Sequence, residues 1–423
     1  MAQTMTAADF ARQVVQRLQA AGFEAVWAGG CVRDRLLGVT PKDYDIATDA
    51  TPEDVRQLFG RRRTLLIGVS FGVVTVLAPK PLEPVEVATF RRDEDYTDGR
   101  RPDRVHFCSA AEDAKRRDFT VNGLFFDPIS KQVIDYVDGQ ADLRQQLIRC
   151  IGNPHERIRE DKLRMLRAIR FSGTLNFTID PATMKAIADH ADELHVVSAE
   201  RIAAEMRRIL VHENTPTSLE QLRQTGLWKS VLPEYAERTE PDRTTCWSAL
   251  IRLFEVLIPP RNVTTAMAAL LYPIVQHRSV QAVHELASRW RLSNRERDDS
   301  RWMLDHADTI LHADQIAWPR LQPVLVHPLI ESLLTLADAI YASDRTKTLS
   351  LAGIETCRKK LSLPPDQLNP KPFVNGHDLI NAGIPNGKQL GTLLQEIRDA
   401  QLNGQLADSA EAVAWAKSRF DRS

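Results

Sequence analysis

The sequence predicts an α+β protein, with a mixed α/β head followed by a remainder built from helices. Residues 1 to about 145 alternate between helix-like and strand-like segments. From about residue 154 onward, apolar residues recur at intervals of three and four, which is the spacing of amphipathic helices. The chain has 423 residues, too many for one ordinary hydrophobic core. We therefore expect two to four domains, of which the first contains a mixed sheet.

The elements expected in the head follow one another closely along the chain. In order, they are a helix over about 7–21, a strand Glu24–Ala28, a short helix Cys31–Leu37, a strand Asp43–Ala47, a helix after Thr51, a hairpin of Phe71–Ala78 with Val85–Phe90, and strands Val133–Tyr136 and Leu147–Ile151 around a turn at Gly139. The start of the helix after Thr51 is the clearest boundary. Thr51 is a good N-cap, and Pro52 suits the first helical position.

Two regions depart from this pattern. The segment Arg91–Arg104 has five arginines, five acids and one glycine without apolar periodicity, so we expect an exposed loop there. After about residue 154 the sequence predicts helices and no strand. Proline-containing breaks at Asn214–Pro216, Pro259-Pro260 and Pro364–Pro372 divide this part into helical subdomains.

Composition excludes several classes of protein. Apolar residues make up 43% and charged residues 26%, as in ordinary soluble domains. The N-terminal residues lack the apolar core of a secretory signal, and no stretch approaches 18 apolar residues, so we expect no membrane association. Five widely spaced cysteines without a CxxC pair indicate reduced thiols in a cytoplasmic protein and argue against a structural zinc site.

The net charge of −1 does not by itself indicate a nucleic-acid-binding protein. A basic stripe on one face would nevertheless be sufficient for binding. Candidate runs of arginine lie at 61–63, 91–92, 100–101, 116–117 and 207–208. Any one of these runs could equally be a solvated surface.

The first motif that points to chemistry is a glycine turn. Gly29-Gly30 follows a predicted strand and precedes a short helix, so backbone N–H groups can approach a phosphate there. Arg33, one helical turn later, can reach the same anion. Alone, this motif is as well explained by a tight turn without a ligand.

A pair of aspartates follows. In a strand, residues i and i+2 face the same way, so Asp43 and Asp45 would converge on one side. Two carboxylates suit Mg²⁺, with substrate phosphates completing its coordination shell. Glu86, a polar residue between valines, is the best candidate for a third carboxylate in a two-metal site. The alternative for Glu86 is an edge-strand residue that faces water.

The third motif runs from Arg116 to Asn122. Arg116 and Arg117 offer fork-shaped donors for a triphosphate, and Asp118 could accept a hydrogen bond from a ribose hydroxyl. Asn122 completes the motif. A charge cluster at a helix N-terminus is the alternative.

The fourth motif places Asp161, Arg164, Arg167 and Arg170 at every third residue of a predicted helix. The alternative is that these charges form ion pairs within the helix and bind no ligand. Three arginines against two acids, Glu160 and Asp161, leave guanidinium groups unpaired, which favours a ligand.

Together, these motifs resemble those of class II tRNA nucleotidyltransferases, which include CCA-adding enzymes and bacterial poly(A) polymerases. The matching segments are GGCVRDRLLG, KDYDIATDATPEDV, VEVATFR, RRDFTVN and REDKLRMLRAIRF, all within about residues 24–171. A weaker similarity runs from Val374 through Gly391. The combination is highly specific, although no single segment is.

The resemblance implies a polymerase-β-like head with a mixed sheet at 1–145, followed by an all-α neck at 146–210, body at 211–350 and tail at 351–423. It implies the following site residues: Asp43 and Asp45 as metal ligands, Gly30, Arg33 and Arg117 at the triphosphate, Asp118 near the ribose, Asp161 and Arg164 as a protein template for the base, and Arg167 and Arg170 in the nucleotide site. Cytosine and adenine both present an amino donor beside a ring-nitrogen acceptor. A carboxylate beside a guanidinium matches both bases and rejects uracil and guanine.

The implied reaction is attack by the 3′-hydroxyl of tRNA on the α-phosphate of CTP or ATP, assisted by two Mg²⁺ ions. The helical remainder would hold the tRNA backbone without reading its sequence. The loop 91–104 corresponds in place to an element linked with switching from C to A addition. The sequence contains no sign of an obligate protein partner.

Several alternatives stay open at this point. An enzyme that adds only CC usually lacks the functional element of the loop, which is full-length here. Poly(A) polymerases usually carry a basic, aromatic stretch where this chain has LIGVSFG at 66–72. An enzyme that adds only A would have the same motifs. A catalytically inactive RNA-binding protein is disfavoured by Asp43 and Asp45, and an additional phosphohydrolase at His377-Asp378 lacks supporting ligands.

Overall fold

A computed structural model of the protein describes residues 5–67, 72–94, 104–259, 261–275 and 279–420. The chain divides into two compact units, Met1–Thr239 and Glu240–Ser423. The first unit contains the sheet and all of the motifs named above except the one near residue 377. The four-part division of the chain stays a prediction.

The first unit contains eleven strands and twelve α-helices among its described residues. The strands are β1 Ala25–Ala28, β2 Asp45–Thr48, β3 Thr64–Leu65, β4 Val73–Val76, β5 Val85–Thr89, β6 Arg91–Glu94, β7 Arg104–Phe107, β8 Leu124–Asp127, β9 Gln132–Asp135, β10 Leu147–Ile148 and β11 Thr178–Ile179. The helices are α1 Ala7–Ala20, α2 Gly30–Leu36, α3 Pro52–Phe59, α4 Ala110–Arg116, α5 Gly139–Gln145, α6 Pro154–Glu160, α7 Arg164–Leu175, α8 Pro181–Asp189, α9 Ala199–Leu210, α10 Thr215–Thr225, α11 Trp228–Val231 and α12 Pro233–Ala236.

In the described part of this unit, seven strands form a mixed sheet in the order β3-β4-β5-β2-β1-β8-β9. Only β2 and β5 pair in parallel, and the other neighbours are antiparallel. Ile46 of β2, Val74 of β4 and Val87 of β5 are neighbours on one face of the sheet and are buried. Asp45 and Glu86 therefore face the opposite side of the sheet. This confirms the mixed sheet expected for the head.

The local signals predicted most of the head elements. Thr51 caps α3 through a capping box with Asp54, as the sequence indicates. β4 and β5 pair antiparallel, although Phe71, where the first of them was expected to start, lies outside the described residues. The ends of the predicted loop 91–104 pair as the ribbon β6–β7, and residues 95–103 lie outside the described residues.

Some expectations were wrong in detail. Gly139, where a turn was expected, begins the helix α5. β2 begins at Asp45 rather than Asp43, because its partner β1 ends at Ala28 and the chain then turns into α2. The part of the chain after residue 154 also contains a strand, β11, which pairs in parallel with β10. Asn176 ends α7 in the left-handed conformation and redirects the chain, so that two β-branched residues lie along β10.

The second unit is helical throughout its described residues, as expected. Its helices are α13 Asp242–Val256, α14 Val263–Leu271, α15 Ser279–Arg289, α16 Asn294–Leu311, α17 Trp318–Leu325, α18 Ile330–Ser343, α19 Ala352–Leu361, α20 Pro365–Leu368, α21 Gly376–Asn381, α22 Lys388–Leu402 and α23 Ser409–Phe420. α14, α16 and α18 pack together around fully buried residues such as Met267, Ala307 and Leu336. The last three helices share a separate core that includes Leu379, Ile397 and Ala412.

Within the described residues, no single helix is long and apolar enough to cross a membrane. One pair, α17 with α18, meets the length and composition criteria only when its two members are taken together, and they are bent by 109° relative to each other. Apolar residues of α18 such as Leu333 and Leu336 are fully buried in the protein. Burial in the core of the unit accounts for the apolar character of this pair.

Gly353 provides a test of the packing of the second unit. A Cβ atom at this position of α19 would lie 2.3 Å from the carbonyl oxygen of Leu311 and 2.6 Å from that of Ile310. We predict that Gly353→Ala lowers the free energy of unfolding by about 1–3 kcal/mol, because backbone atoms cannot rotate away. Gly391 in α22 is the matched control, since its Cβ would meet nothing within 4 Å. Gly391→Ala should raise stability by about 0.5–1 kcal/mol. Urea denaturation measures both, and equal effects would contradict the packing.

Candidate active site

Two carboxylates lie side by side on the central strands of the head. Asp45 is the in-register partner of Glu86 in the parallel pair of β2 and β5, so both side chains point to the same side of the sheet. Both are exposed. β5 also pairs with β4, so Glu86 is on an interior strand, and the alternative of an edge-strand glutamate is wrong.

Asp43 joins this pair from a bend two residues before β2. The expectation that it shares a strand with Asp45 was wrong, but Asp43 is close enough to act on Asp45 by its charge. Partial removal from water, together with the negative charges of Asp43 and Glu86, raises the pKa of Asp45 to about 6. Tyr44, between the two aspartates, is buried and packs against Trp27 with ring centroids 4.7 Å apart. Three negative groups therefore concentrate at one point of the sheet.

The site is a cavity whose lining carries charges of opposite sign. Asp45 and Glu86 line it together with Arg116 and Arg117, and Ala28, Ile46 and Ala88 complete the lining. Among the described residues, no three carboxylate, imidazole or thiolate side chains are close enough to enclose a metal ion by themselves. The oxygen donors present suit a hard cation such as Mg²⁺, provided that a bound substrate supplies further oxygens. The arrangement can hold a cation at the carboxylates and an anion at the arginines.

A buried aspartate holds the two arginines. Asp113, with only 1% of its surface exposed, accepts hydrogen bonds from Arg116 Nε at 2.8 Å and Arg117 Nη2 at 3.0 Å. Burial alone would raise the pKa of Asp113, but the charges of Arg117 and Arg116 outweigh it and lower the pKa. Arg116 is the last residue of α4 and Arg117 is its C-cap, so these arginines lie at the end of a helix and not at its N-terminus. Asp113 thus fixes both guanidinium groups beside the cavity.

Asp118 is the centre of a second network. Its Oδ2 accepts hydrogen bonds from Arg167 Nε at 2.8 Å and Nη2 at 2.5 Å, and its Oδ1 accepts from Asn122 Nδ2 at 3.1 Å and the Phe119 N–H at 2.8 Å. Burial would raise its pKa, but Arg167 and these hydrogen bonds lower the pKa to about 2. A carboxylate has about four acceptor positions, and all are in use. A ribose hydroxyl would have to displace one of these donors.

Asn122 links this network to the glycine turn. Its Oδ1 accepts a hydrogen bond from Arg33 Nη1 at 2.7 Å, and Arg33 also pairs with Asp34 at 2.6 Å. Gly29 has φ +73°, and a Cβ there would lie 3.0 Å from Arg117 Nη1. The positive φ therefore favours glycine here, and a Cβ atom would also crowd the guanidinium group of Arg117. The turn, Arg33 and Arg117 lie together, as the sequence indicates.

Asp161 and Arg164 are each held by a separate partner. Asp161 lies in the connection between α6 and α7, so the prediction of one continuous helix was wrong at this point. Its Oδ2 accepts a hydrogen bond from Arg201 at 2.7 Å. Arg164 donates to Glu160 Oε2 at 2.7 Å and to the Arg157 carbonyl at 2.6 Å. Carboxylate and guanidinium are thus fixed separately and do not pair with each other.

Arg167 and Arg170 both interact with Glu205, which is almost fully buried. Arg170 Nε donates a hydrogen bond to Glu205, and Arg167 Nη1 lies 3.9 Å from it. The ring of Phe171 lies under the guanidinium groups of Arg170 and Arg167, at 3.9 Å and 5.3 Å from its centroid. Cation–π attraction therefore adds to the ion pairs that order these arginines.

Sequence reasoning missed the residues that position the others. Asp113 carries a local signal, since it lies three and four residues before Arg116 and Arg117 in a helix. Glu205 carries a weaker one, as a charged residue on the buried face of α9 beside Met206. Arg201 carries none, because its contact with Asp161 joins residues 40 positions apart. His377 and Asp378 lie in the first turn of α21, where Asp378 forms a capping box with Asn375.

Three family models match successive parts of the chain. The Poly A polymerase head domain matches residues 25–149, the model described as "Probable RNA and SrmB- binding site of polymerase A" matches residues 176–238, and tRNA nucleotidyltransferase domain 2 matches residues 241–416. The first match includes the cavity with Asp45, Glu86, Arg116 and Arg117. The second and third follow within the helical remainder.

Curated relatives match over nearly the whole chain. The CCA-adding enzyme of Levilactobacillus brevis is 33% identical over 96% of this chain and 97% of its own. That of Enterococcus faecalis is 33% identical over 97% of this chain and 95% of its own. The crystal structure of the Bacillus stearothermophilus CCA-adding enzyme in complex with CTP is 29% identical, with a TM-score of 0.79 and 99% of each chain covered. The Thermotoga maritima CCA-adding enzyme complexed with tRNA shares the fold at 21% identity, with a TM-score of 0.67 and 97% and 95% coverage.

Asp118 gives a pH-dependent prediction. Because its folded pKa lies below the usual value of 3.8, the ionised carboxylate stabilises the fold above about pH 4, and this contribution is lost as the pH falls toward 2. We predict that the destabilisation caused by Asp118→Asn shrinks by about 1 kcal/mol between pH 6 and pH 3. Urea denaturation at the two pH values measures the difference.

The exposed residue Asp192 provides the control for this measurement. Asp192→Asn should change stability by less than about 0.5 kcal/mol at both pH values. A cost of Asp118→Asn that is the same at pH 6 and pH 3 would contradict the ion pair with Arg167.

Proposed function

Because the chain belongs to the family of CCA-adding enzymes, we propose that it adds C and A nucleotides to the 3′ end of tRNA without a nucleic-acid template. The observation that carries this proposal is the cavity in which Asp45 and Glu86 face Arg116 and Arg117. Such a site suits phosphoryl transfer, which needs a bound cation and a clamp for the phosphates. The CCA-adding enzymes named above match almost the whole chain, so the similarity is not confined to the head.

In the proposed reaction, the 3′-hydroxyl of the RNA attacks the α-phosphate of CTP or ATP, and pyrophosphate leaves. Asp43 and Asp45 would hold Mg²⁺, and Glu86 stands where it can accept the proton of the hydroxyl or add a ligand. When bound, two Mg²⁺ ions would activate the hydroxyl and neutralise the charge of the departing pyrophosphate. The raised pKa of Asp45 fits this role, because partial removal from water and the charges of Asp43 and Glu86 disfavour its ionised form, which a bound cation would stabilise.

The phosphates would lie beside the arginines that line the cavity. Arg116 and Arg117 present their guanidinium groups there, and Asp113 keeps both in place before any ligand arrives. Groups that are fixed in advance need little reorganisation when charge develops on the phosphates. Gly29, Gly30 and Arg33 extend this surface at the end of β1.

Base choice is assigned to Asp161 and Arg164. Arg201 holds Asp161 as a carboxylate, which accepts from the amino group of cytosine or adenine. Glu160 holds Arg164, which donates to the neighbouring ring nitrogen. Uracil and guanine would set donor against donor and acceptor against acceptor, at a cost of about 1–3 kcal/mol for each unpaired group. Arg167, Arg170 and Asn122 complete the nucleotide site, and Asp118 acts by orienting Arg167 and Asn122.

We assign binding of the tRNA backbone to the helices beyond the head. These helices lie in the neck, body and tail at 146–210, 211–350 and 351–423. All five cysteines are free thiols, which is in keeping with a reducing cytoplasm. The predicted switching element is the loop 91–104, of which residues 95–103 lie outside the described residues.

The experiment that tests this function offers three tRNAs: one without the CCA end, one without only the final A, and one complete. Each receives CTP and ATP, separately and together. Three nucleotides added to the first tRNA, one to the second and none to the third support the proposal. Addition of A alone, of CC alone, or of a long A tail would identify one of the related activities instead.

We predict that Asp43→Ala combined with Asp45→Ala reduces incorporation about a thousandfold or more, because both metal ligands are lost. Filter binding should show that tRNA affinity persists. The control removes two exposed carboxylates of the same unit, Glu53→Ala with Glu83→Ala, and should leave incorporation within about twofold. Retained activity in the Asp43/Asp45 variant would contradict the metal assignment.

We also predict that Asp161→Ala relaxes base choice. The preference for CTP over UTP in kcat/KM should fall about tenfold or more, since the acceptor that UTP cannot match is gone. Glu156→Ala, at an exposed position of α6, is the control and should keep the parent preference. If Asp161→Ala still excludes UTP and GTP as sharply as the parent, the template assignment is wrong.

A further inference from the structure

Three successive arginines stand on the outer edge of the sheet, away from the site described above. Arg61, Arg62 and Arg63 form a short 3₁₀ helix, and all three side chains are exposed. We call them the arginine ridge. Within the described residues, the ridge forms no ion pair, whereas Arg116 and Arg117 share Asp113. Successive residues of a 3₁₀ helix point about 120° apart, so the three guanidinium groups fan out from the ridge. With no acidic partner among the described residues, they can take phosphates that pass along this edge of the protein.

The ridge is fixed to the sheet by its backbone. The Arg63 N–H donates to the Gly60 carbonyl at 3.0 Å, and the Arg63 carbonyl accepts from the Leu77 N–H at 2.9 Å. Thr64, next in the chain, is buried and begins β3. The backbone from which the three arginines branch is therefore ordered, while their exposed side chains can turn toward an anion.

The register of the sheet connects the ridge to the active site. Asp45 pairs with Glu86, Glu86 with Thr75, and Thr75 with Leu65. Directly paired residues face the same side, so the carboxylates and Leu65 lie on one face of the sheet. Three strand spacings of about 4.8 Å separate Asp45 from Leu65, roughly 14 Å in all.

The order of the strands also indicates on which side of Asp45 the RNA would lie. The groups assigned to the nucleotide follow β1 at Gly29 or precede β8 at Asp118–Asn122, which is one side of Asp45. β5, β4 and β3 lie on the other side. An RNA whose 3′-hydroxyl reaches Asp45 and Glu86 and whose chain runs along this second side would meet the ridge at its end.

We propose that the arginine ridge binds the phosphodiester backbone of the RNA substrate a few nucleotides upstream of its 3′ end. This inference rests on the proposed function for the identity of the substrate. Exposed Leu65 and Ile67, at 42% and 69% of their surface, offer apolar contact to a base or ribose beside the phosphates. Arg17 lies near the end of α3, just before the ridge, where its Nη2 donates a hydrogen bond to the Leu58 carbonyl at 2.6 Å. The contact is with backbone and not with base edges, so it serves every tRNA alike.

The test replaces all three arginines with glutamine, as Arg61→Gln, Arg62→Gln and Arg63→Gln in one chain. Binding of a tRNA without its CCA end is measured over a series of salt concentrations. The dissociation constant at physiological salt should rise about 10-fold or more, and the slope of its logarithm against that of salt should fall by about 2. The KM for CTP and kcat at saturating tRNA should stay within about twofold of the parent.

The control variant makes the same change in net charge at exposed positions elsewhere in the unit, as Arg12→Gln, Lys131→Gln and Arg144→Gln. It should keep the parent affinity and salt slope. An equal loss in both variants would mean that overall charge is responsible and would overturn the proposal. Unchanged tRNA binding in the ridge variant would also overturn the proposal. The same holds if, with tRNA binding unchanged, sedimentation shows that the ridge joins two copies of the chain.

A second variant guards against a folding defect. Replacing the same three arginines with lysine keeps the positive charges and should retain tRNA affinity within about threefold; loss of binding in this variant, with its thermal transition unchanged, would contradict a backbone contact. Binding is measured without nucleotide and so does not depend on catalysis. A parent chain that binds tRNA through the ridge yet adds no nucleotide would contradict the proposed function and leave this inference standing.

Discussion

The in-register parallel pairing of β2 with β5 is the constraint on which the site depends. It places Asp45 beside Glu86, on the face of the sheet that carries the cavity. A shift of either strand by one residue would turn one of these carboxylates to the buried face, where Ile46 and Val87 now lie. The same register continues through Thr75 to Leu65, so one pairing pattern sets both the catalytic centre and its distance from the arginine ridge.

A second constraint is the neutralisation of buried charge around that centre. Asp113 and Glu205 are buried, Asp118 is nearly so, and each holds at least one arginine of the proposed nucleotide site. Removing one partner of such a pair leaves an uncompensated charge and typically costs about 3–5 kcal/mol. The fold itself thus orders Arg116, Arg117, Arg167 and Arg170 before any ligand binds, as the proposed nucleotide site requires.

The sequence predicts the local parts of this arrangement and not the long-range ones. Thr51 as an N-cap and the aspartates at 43 and 45 follow from neighbouring residues. The start of β2 does not, because it depends on where β1 ends. Arg201 could not be paired with Asp161 from sequence, since the contact joins residues 40 positions apart. Asp118 shows a further limit: the motif identifies the residue, but only the structure shows that Arg167, Asn122 and the Phe119 N–H occupy its oxygens.

The central claim is that Asp43 and Asp45 hold the metal ions that act on the α-phosphate of a nucleotide. Anomalous diffraction tests it most directly, on crystals of the protein with Mn²⁺, a tRNA lacking its final A and a non-hydrolysable ATP analogue. The account predicts Mn²⁺ at coordination distance, about 2.1 Å, from both aspartates and from the phosphates of the analogue. Mn²⁺ bound elsewhere, or phosphates that lie away from Asp45, Arg116 and Arg117, would contradict it.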